Sequence, residues 1–207
     1  MKKHIVFDFG RVLFRWRPDH LLAEQWPHRV SSAEAAAPFV AEFFQAYGGD
    51  WGAYDQGLIG QDEVAVRISA RTGWPVAEVA QVVAAAAFEL QPFPDAVALI
   101  TELKSAGHRL FYLSNMPGPL ADHLARSYPL AQWFETGVFS SRVRQIKPNT
   151  EIFHTALAQF GVAAADCIFL DDHPANVAAA LALGWQALMF TTAAAVRPQL
   201  AELIGDQ

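Results

Sequence analysis

The chain is poor in cysteine, in charge and in long apolar segments. Cys167 is the one cysteine among 207 residues, so no internal disulfide can form, and we expect a reduced, cytoplasmic protein. Charged residues make up 17% of the chain and the net charge is -6, which gives no positive field for a nucleic-acid backbone or an anionic membrane. No apolar stretch approaches the roughly 20 residues of a membrane span. We therefore expect neither nucleic-acid nor membrane partners.

Short apolar runs alternate with helical patterns along most of the chain. With 53% hydrophobic residues, the sequence is typical of a folded protein with one core and an insertion. Patterned helices that end at Gly107, Gly161 and Gly184 are each followed by a strand or by a short link to one. This alternation predicts an α/β fold with a Rossmann-like parallel sheet. The predicted strands cover residues 5–7, 110–113, 168–170 and 187–190.

Residues 18–87 have a different pattern. Their helical segments are interrupted by Gly and Pro, and no convincing strand occurs among them. The segment is far longer than an ordinary connection between a strand and a helix, so we interpret it as an inserted α-helical cap. The predicted core then comprises residues 1–17 and 88–207. An insertion after the first strand lies over the carboxyl ends of the strands, where open α/β sheets bind ligands.

Polar side chains follow the predicted strands or begin the helices after them. Together they provide a carboxylate nucleophile, a hydroxyl, a fixed cation and further carboxylates that suit a hard divalent metal. Phosphoryl transfer requires this set of groups, because cations and hydrogen-bond donors must orient and neutralise the phosphoryl oxygens. The residues are Asp8, Ser114, Asn115, Lys147, Asp171, Asp172 and Asn176.

Four segments in this order resemble the motifs of the haloacid dehalogenase-like (HAD) hydrolase superfamily. They are FDFGRV at 7–12, LSN at 113–115, IKP at 146–148 with IF at 152–153, and FLDD at 169–172 with Asn176. The pattern is most similar to small sugar-phosphate phosphatases related to α-glucose-1-phosphate phosphatase. The segment YDQGLI at 54–59 resembles a recurrent segment of the helical cap in this superfamily.

The resemblance implies a nucleophile and a Mg²⁺ site. Asp8 would form an aspartyl phosphate and also bind Mg²⁺, with the Gly10 carbonyl and Asp172 as further metal ligands. Asp171 would act through a bound water and through the lysine. Asn176 would have a supporting role.

The resemblance also implies how the phosphoryl group is held. Ser114 would hydrogen-bond it together with the backbone amides of Asn115 and Met116, and Lys147 would hold its oxygens in register with the aspartate. The partner would be a small phosphorylated metabolite. Other residues have two interpretations each, as cleft residues that contact substrate or as ordinary core and surface residues: Arg11, Trp16, Asp19 and Tyr54. His173 is expected to support the site or face solvent.

Gly10 departs from the superfamily pattern, in which most phosphatases carry an aspartate two residues after the nucleophile. That acid protonates the leaving oxygen and then activates water, assistance worth roughly 10²–10⁴-fold in rate. Without it, we expect activity to be favoured on esters whose leaving group departs easily, such as an anomeric sugar oxygen. A Mg²⁺-dependent sugar phosphatase is the main hypothesis. The alternatives are a 2-haloacid dehalogenase, disfavoured by the acidic pair 171–172, and a non-catalytic module that binds phosphorylated ligands.

Overall fold

A parallel five-stranded sheet forms the centre of the protein in the computed structural model, which describes residues 2–205. The strands lie in the order β3-β2-β1-β4-β5. Their bounds are β1 His4–Phe7, β2 Arg109–Ser114, β3 Thr136–Phe139, β4 Cys167–Asp171 and β5 Gln186–Met189. The predicted α/β, Rossmann-like fold class is confirmed.

Helices surround this sheet and fill the long connection between β1 and β2. No helix of the described part of the chain is long and apolar enough to cross a bilayer. The helices are α1 Pro18–Gln25, α2 Ala37–Phe44, α3 Gly49–Asp55, α4 Gln61–Thr72, α5 Val76–Glu89, α6 Pro94–Ser105, α7 Gly118–Ser127, α8 Leu130–Trp133, α9 Ser140–Val143, α10 Thr150–Phe160, α11 Pro174–Ala182 and α12 Ala193–Ile204, with 3₁₀ turns at Glu34–Ala36, Gln45–Tyr47 and Ala164–Asp166.

The first strand lies at the middle of the sheet. His4 is in register with Arg109 of β2 on one side and with Cys167 of β4 on the other. All five residues of β4 are buried, as expected for a parallel strand that is covered on both faces. The carboxyl ends of β1, β2 and β4 therefore meet at one edge of the sheet.

The apolar runs of the sequence predict four of these strands and miss β3. This strand is short and contains Gly137, which weakens its strand pattern. A Cβ atom at residue 137 would lie only 2.2 Å from the Tyr112 ring on the neighbouring strand. Glycine is therefore required here by close packing, a reason for glycine in a strand that the pattern alone does not reveal.

Five helices and no strand lie between residues 18 and 89 of the described chain. Their aromatic side chains form a cluster with ring centroids 4.7–6.3 Å apart, which includes the buried Trp26, Phe43, Phe44 and Trp51 and the partly buried Trp74. The division into a core and a cap at residues 17/18 and 87/88 stays a prediction, and α5 continues past it to Glu89.

The two links between the helical segment and the sheet run side by side. The Arg15 amide donates to the Gln91 carbonyl at 2.8 Å, and the Phe93 amide donates to the Leu13 carbonyl at 2.9 Å. This pairing fixes where α1 leaves the sheet and where α5 returns to it. It places the helical segment against the carboxyl edge of the strands.

Candidate active site

Three polar residues stand at the carboxyl ends of the central strands. Asp8 follows β1 directly, Ser114 ends β2 and Asp171 ends β4. Their positions follow from the parallel register, because neighbouring parallel strands end at the same edge. Above this edge lies a cavity of about 550 Å³, lined by residues of the sheet edge and of the helical segment.

A tight turn after Asp8 shapes the floor of this cavity. The Phe9 carbonyl accepts backbone hydrogen bonds from Val12, Leu13 and Phe14. Arg11, with a φ of 57°, adopts the left-handed conformation that non-glycine residues adopt rarely. Gly10 lies within this turn and lines the cavity.

Lys147 lies between two carboxylates. Its ammonium is 2.9 Å from Asp8 Oδ1 and 2.6 Å from Asp171 Oδ2, and its side chain is fully buried. A buried ammonium is stable only when it is paired, and here the pairing also fixes the position of the Asp8 carboxylate. The lysine therefore places a positive charge beside the carboxylate that the sequence predicts to be the nucleophile.

Asp171 uses both of its oxygens to hold this arrangement. Oδ1 accepts hydrogen bonds from the His173 amide at 2.8 Å and from Asn176 Nδ2 at 3.0 Å. Oδ2 accepts from Lys147 and from Asn176, the latter at 3.1 Å. Because four hydrogen bonds saturate the carboxylate, Asp171 positions Lys147 instead of offering a free oxygen to the cavity.

Asn115 anchors the backbone of the lysine. Its Nδ2 donates to the Lys147 carbonyl at 3.0 Å and its Oδ1 accepts from the Lys147 amide at 2.9 Å. The side chain is thus a two-point clamp between the loop after β2 and the loop that carries Lys147. This side-chain role was not predicted, and the predicted contact of the Asn115 backbone amide with a phosphoryl group stays a prediction.

One predicted phosphoryl donor has another partner in the structure. The Met116 amide donates to Ser140 Oγ at 2.8 Å, and Ser140 Oγ donates in turn to the Asp55 carbonyl. In this arrangement Ser140, the first residue of α9, occupies the amide that is predicted to bind phosphate, and phosphate binding by that amide stays a prediction. Ser114 lines the cavity, and its hydrogen bond to a phosphoryl group stays a prediction.

Burial and neighbouring charges shift the pKa values at the cavity floor. Burial raises the pKa of Asp8 to about 7, against the lowering influence of the Lys147 charge. Burial also raises the pKa of Asp172, and the Asp171 carboxylate adds to the increase. Burial alone would lower the pKa of Lys147, but the two carboxylates beside it raise it overall, so the ammonium stays charged.

The carboxylates at this edge suit a divalent cation. Asp8, Asp171 and Asp172 each place an oxygen within 4.8 Å of the others, while Lys147 contributes the balancing positive charge among them. Since Asp171 is saturated, Asp8 and Asp172 are the carboxylates that can bind a cation, with the Gly10 carbonyl beside them in the lining. An all-oxygen donor set fits Mg²⁺, which keeps water molecules as its remaining ligands.

The structure distinguishes between the two interpretations of Arg11, Trp16, Asp19 and Tyr54. Arg11 and Trp16 line the main cavity and also an adjacent depression, whereas Asp19 lines the adjacent depression but not the main cavity. Tyr54 is buried in the aromatic cluster, with its ring 5.6 Å from that of Trp51, and it does not line the cavity. His173 is exposed at the rim and precedes α11.

Two features of the cavity were not predicted. The first is Asp55, the last residue of α3, a buried carboxyl group that lines the cavity with Asp8. The second is the apolar part of the cavity lining, here called the apolar wall, which consists of Trp16, Trp51, Leu58, Leu90, Met116 and Leu120. Both depend on how the helical segment folds against the sheet. The one available signal for Asp55 was its position within the segment at 54–59 that resembles a cap motif.

Comparisons with known proteins agree with this geometry. The model of the haloacid dehalogenase-like hydrolase family matches residues 2–184. Among curated proteins, the sesquiterpene phosphatase astK of Aspergillus oryzae is 29% identical over 204 residues, which cover 98% of this chain and 97% of that protein.

Solved structures share the fold over nearly the whole chain. A predicted HAD-like family hydrolase from Porphyromonas gingivalis matches with a TM-score of 0.73 and 23% identity, covering 100% of both chains. A HAD family enzyme from Bacteroides thetaiotaomicron, in complex with magnesium and inorganic phosphate, matches with a TM-score of 0.69 and 22% identity, covering 91% of this chain and 94% of the other.

Proposed function

The chain belongs to the haloacid dehalogenase-like hydrolases, and on this basis we propose that it is a Mg²⁺-dependent phosphatase that hydrolyses a small phosphate monoester through a phosphorylated Asp8. The observation that carries the proposal is the buried Asp8–Lys147–Asp171 array at the cavity floor. The similarity to a phosphatase over 98% of the chain supports it.

Each residue of the array has one task in this reaction. Asp8 attacks phosphorus with a carboxylate oxygen, which lies at the open end of the array, whereas Asp171 is saturated and stays in place. Lys147 neutralises the phosphoryl oxygens, and the Ser114 hydroxyl donates a hydrogen bond to one of them. Asn115 keeps the lysine loop fixed. The arrangement therefore binds the phosphoryl group in line with its nucleophile.

Asp8, Asp172 and the Gly10 carbonyl would hold Mg²⁺. When bound, the cation neutralises phosphoryl oxygens and favours the ionised carboxylate, which lowers the pKa of Asp8 from the value near 7 that burial gives it. The chain then presents an ionised nucleophile at neutral pH. Removal of the cation with a chelator is expected to abolish turnover.

The cavity wall favours a substrate whose organic part is largely apolar. Trp16 and Trp51 stack with ring centroids 6.2 Å apart, and Leu58, Leu90 and Leu120 extend the same wall. Such a wall stabilises an apolar group by roughly 0.8 kcal/mol for each CH₂ that it removes from water. The name of the relative from Aspergillus oryzae, a sesquiterpene phosphatase, supports this substrate class. The sugar phosphate suggested by the first motif stays a prediction and is the competing substrate class.

The test of the reaction uses p-nitrophenyl phosphate with Mg²⁺ or with EDTA. Asp8→Asn is expected to lower kcat by on the order of 10³-fold or more, since it removes the nucleophile but keeps the side-chain shape. Asp62→Asn, an exposed acid on α4, is the matched control and is expected to retain wild-type activity. Equal rates for wild type and Asp8→Asn would exclude the phosphatase. Binding of phosphate without turnover would favour the non-catalytic module, and metal-independent chloride release from 2-chloropropionate would favour the dehalogenase.

The test of the substrate class compares butyl, hexyl and octyl phosphate with sugar 1-phosphates. If the apolar wall binds the organic group, kcat/KM rises by up to about fourfold for each added CH₂. If kcat/KM does not change along the alkyl series and a sugar 1-phosphate is turned over faster, the sugar phosphate is favoured instead.

A further inference from the structure

Asp55 is a buried acid that takes no part in the proposed reaction of Asp8. It ends α3, is only 5% exposed and lines the cavity with Asp8 and Gly10. No group among residues 2–205 donates a hydrogen bond to its carboxyl oxygens, whereas its backbone carbonyl accepts one from Ser140. The carboxyl group is therefore available to a ligand in the cavity.

The surroundings of Asp55 are unfavourable for a negative charge. Burial raises the pKa of its carboxyl well above the ordinary range, and the nearby Asp8 adds to the increase, with Lys147 opposing it. The carbonyl end of a helix also disfavours an anion at this position. Acids placed at such a cost in a cleft occur preferentially at functional sites.

The chain also holds Asp55 firmly against the sheet edge. Ser140 Oγ joins the Asp55 carbonyl to the Met116 amide in the loop after β2. Gln56 Nε2 donates to the Arg144 carbonyl at 2.9 Å. Gly57, with a φ of 70°, packs so closely on Ser141 that a Cβ atom would lie 2.6 Å from its carbonyl oxygen. These contacts join the end of α3 to α9 and to the residue that follows it, and they fix the acid in the lining of the cavity that Asp8 also lines.

Of the other acids in the cavity lining, Asp8 is the nucleophile and Asp172 a metal ligand. The other titratable groups of the lining are differently placed. Lys147 is held between two carboxylates, the Tyr47 hydroxyl accepts a hydrogen bond from Trp16 on an exposed side chain, and Arg11 and His173 are exposed. Gly10, where most of the superfamily's phosphatases carry their proton donor, has no side chain to fill that role. Asp55 is thus the buried acid in the lining that is free for proton transfer.

We propose that Asp55 is a further catalytic residue, the acid and base that replaces the aspartate missing at residue 10. The proposal rests on the proposed phosphatase function. In the first step, Asp8 forms a bond to phosphorus, the ester P–O bond breaks, and the Asp55 proton passes to the leaving oxygen. In the second step, water attacks the phosphorus of the aspartyl phosphate, and the Asp55 carboxylate takes a proton from that water. Phosphate and the Asp8 carboxylate are released, and Asp55 is again protonated.

The test compares Asp55→Asn with wild type on two esters, p-nitrophenyl phosphate and 2-phenylethyl phosphate. An aryl oxide departs without a proton, so the variant is expected to release about one nitrophenolate per enzyme in a burst and then turn over slowly, because water activation is lost. The alkyl ester needs the proton in the first step. Its turnover is expected to fall roughly 10²–10⁴-fold with no burst of alcohol. Asp62→Asn is the matched control, expected to behave as wild type on both esters.

A second variant separates a chemical loss from a structural one. A Cβ atom at residue 10 has 3.9 Å of clearance to the nearest atom, Trp16 Cβ, so an aspartate side chain can start there. Gly10→Asp combined with Asp55→Asn is expected to regain at least tenfold of the lost activity on the alkyl ester. Activity of Asp55→Asn within threefold of wild type on the alkyl ester, absence of the nitrophenolate burst, or a double variant no faster than Asp55→Asn would each overturn the proposal. Failure of the phosphatase function itself is distinct, because wild type and Asp8→Asn would then behave alike.

Discussion

The buried charge of Asp8 makes the stability of the protein depend on pH. Burial raises the pKa of this carboxyl from 3.8 to about 7, and a group with a raised pKa in the folded state prefers to be protonated there. The protonated Asp8 carboxyl therefore makes its full contribution to stability below pH 4, and this contribution is lost as the pH rises to about 7. Asp8→Asn keeps the shape of the side chain and removes the titration.

The size of the effect follows from the shift of about three pKa units. At about 1.4 kcal/mol per unit, the ionised carboxylate costs up to about 4 kcal/mol above pH 7 in the absence of a divalent cation. Asp8 is 8% exposed, so solvent screens this cost little. Lys147 keeps its partner Asp171 at 2.6 Å in the variant, so the substitution does not leave the ammonium unpaired.

Urea unfolding in EDTA at pH 4, 6 and 8 measures this difference. Asp8→Asn is expected to match wild type at pH 4 and to exceed its free energy of unfolding by up to about 4 kcal/mol at pH 8. Mg²⁺ at pH 8 is expected to stabilise wild type more than the variant, because it binds the carboxylate that the variant lacks. The exposed Asp62→Asn serves as the control, with no such trend. A difference between Asp8→Asn and wild type that does not change with pH, or a variant less stable at pH 8, would refute this reasoning.

Three further predictions concern the stability of the folded chain and are measured by urea unfolding. Lys147→Met leaves two buried carboxylates without their cation and is expected to cost about 3–5 kcal/mol, and a loss under about 1 kcal/mol would contradict the pairing. Gly57→Ala is expected to cost about 2–4 kcal/mol, from its left-handed φ and the close approach to Ser141, whereas Gly60→Ala has open space around it and should change stability by less than about 1 kcal/mol. Glu89→Gln removes the charge that accepts a hydrogen bond from Arg17 at 2.7 Å, and the free energy of unfolding is expected to fall by about 1–3 kcal/mol. An unchanged free energy of unfolding would mean that solvent replaces the pair.

The positions of the predicted site residues followed from the sequence because they depend on strand topology. Asp8, Ser114 and Asp171 come directly after or at the ends of buried apolar runs, and parallel pairing brings the ends of such runs together. The hydrogen bonds among these residues did not follow in the same way. Asn115 bonds to the backbone of Lys147, 32 residues away, and the Met116 amide bonds to Ser140, 24 residues away. Only the folded chain reveals these partners.

Asp55 escaped the sequence analysis for a related reason. Its proposed role depends on a contact with Ser140, 85 residues away, which brings the end of α3 to the residue that follows β3. That strand was itself missed, because Gly137 weakens its pattern. A segment that packs on a missed element cannot be placed, so the resemblance at 54–59 indicated a cap and assigned no chemistry to its acid.

If the proton donor lies in the helical segment and not in the turn after β1, the position of that segment controls the reaction. A donor at residue 10 would share the rigid turn of the nucleophile and would be present however the helical segment lies. A donor at Asp55 is in place only when the end of α3 is docked on α9 through Ser140, Gln56 and Gly57. The same helix carries Trp51 of the apolar wall, so an organic group that packs there stabilises the docked position. Contact with the organic part of the substrate thereby assists proton transfer at the phosphoryl end. An ester too small to reach Trp51 loses this assistance, and its turnover is expected to depend less on Asp55.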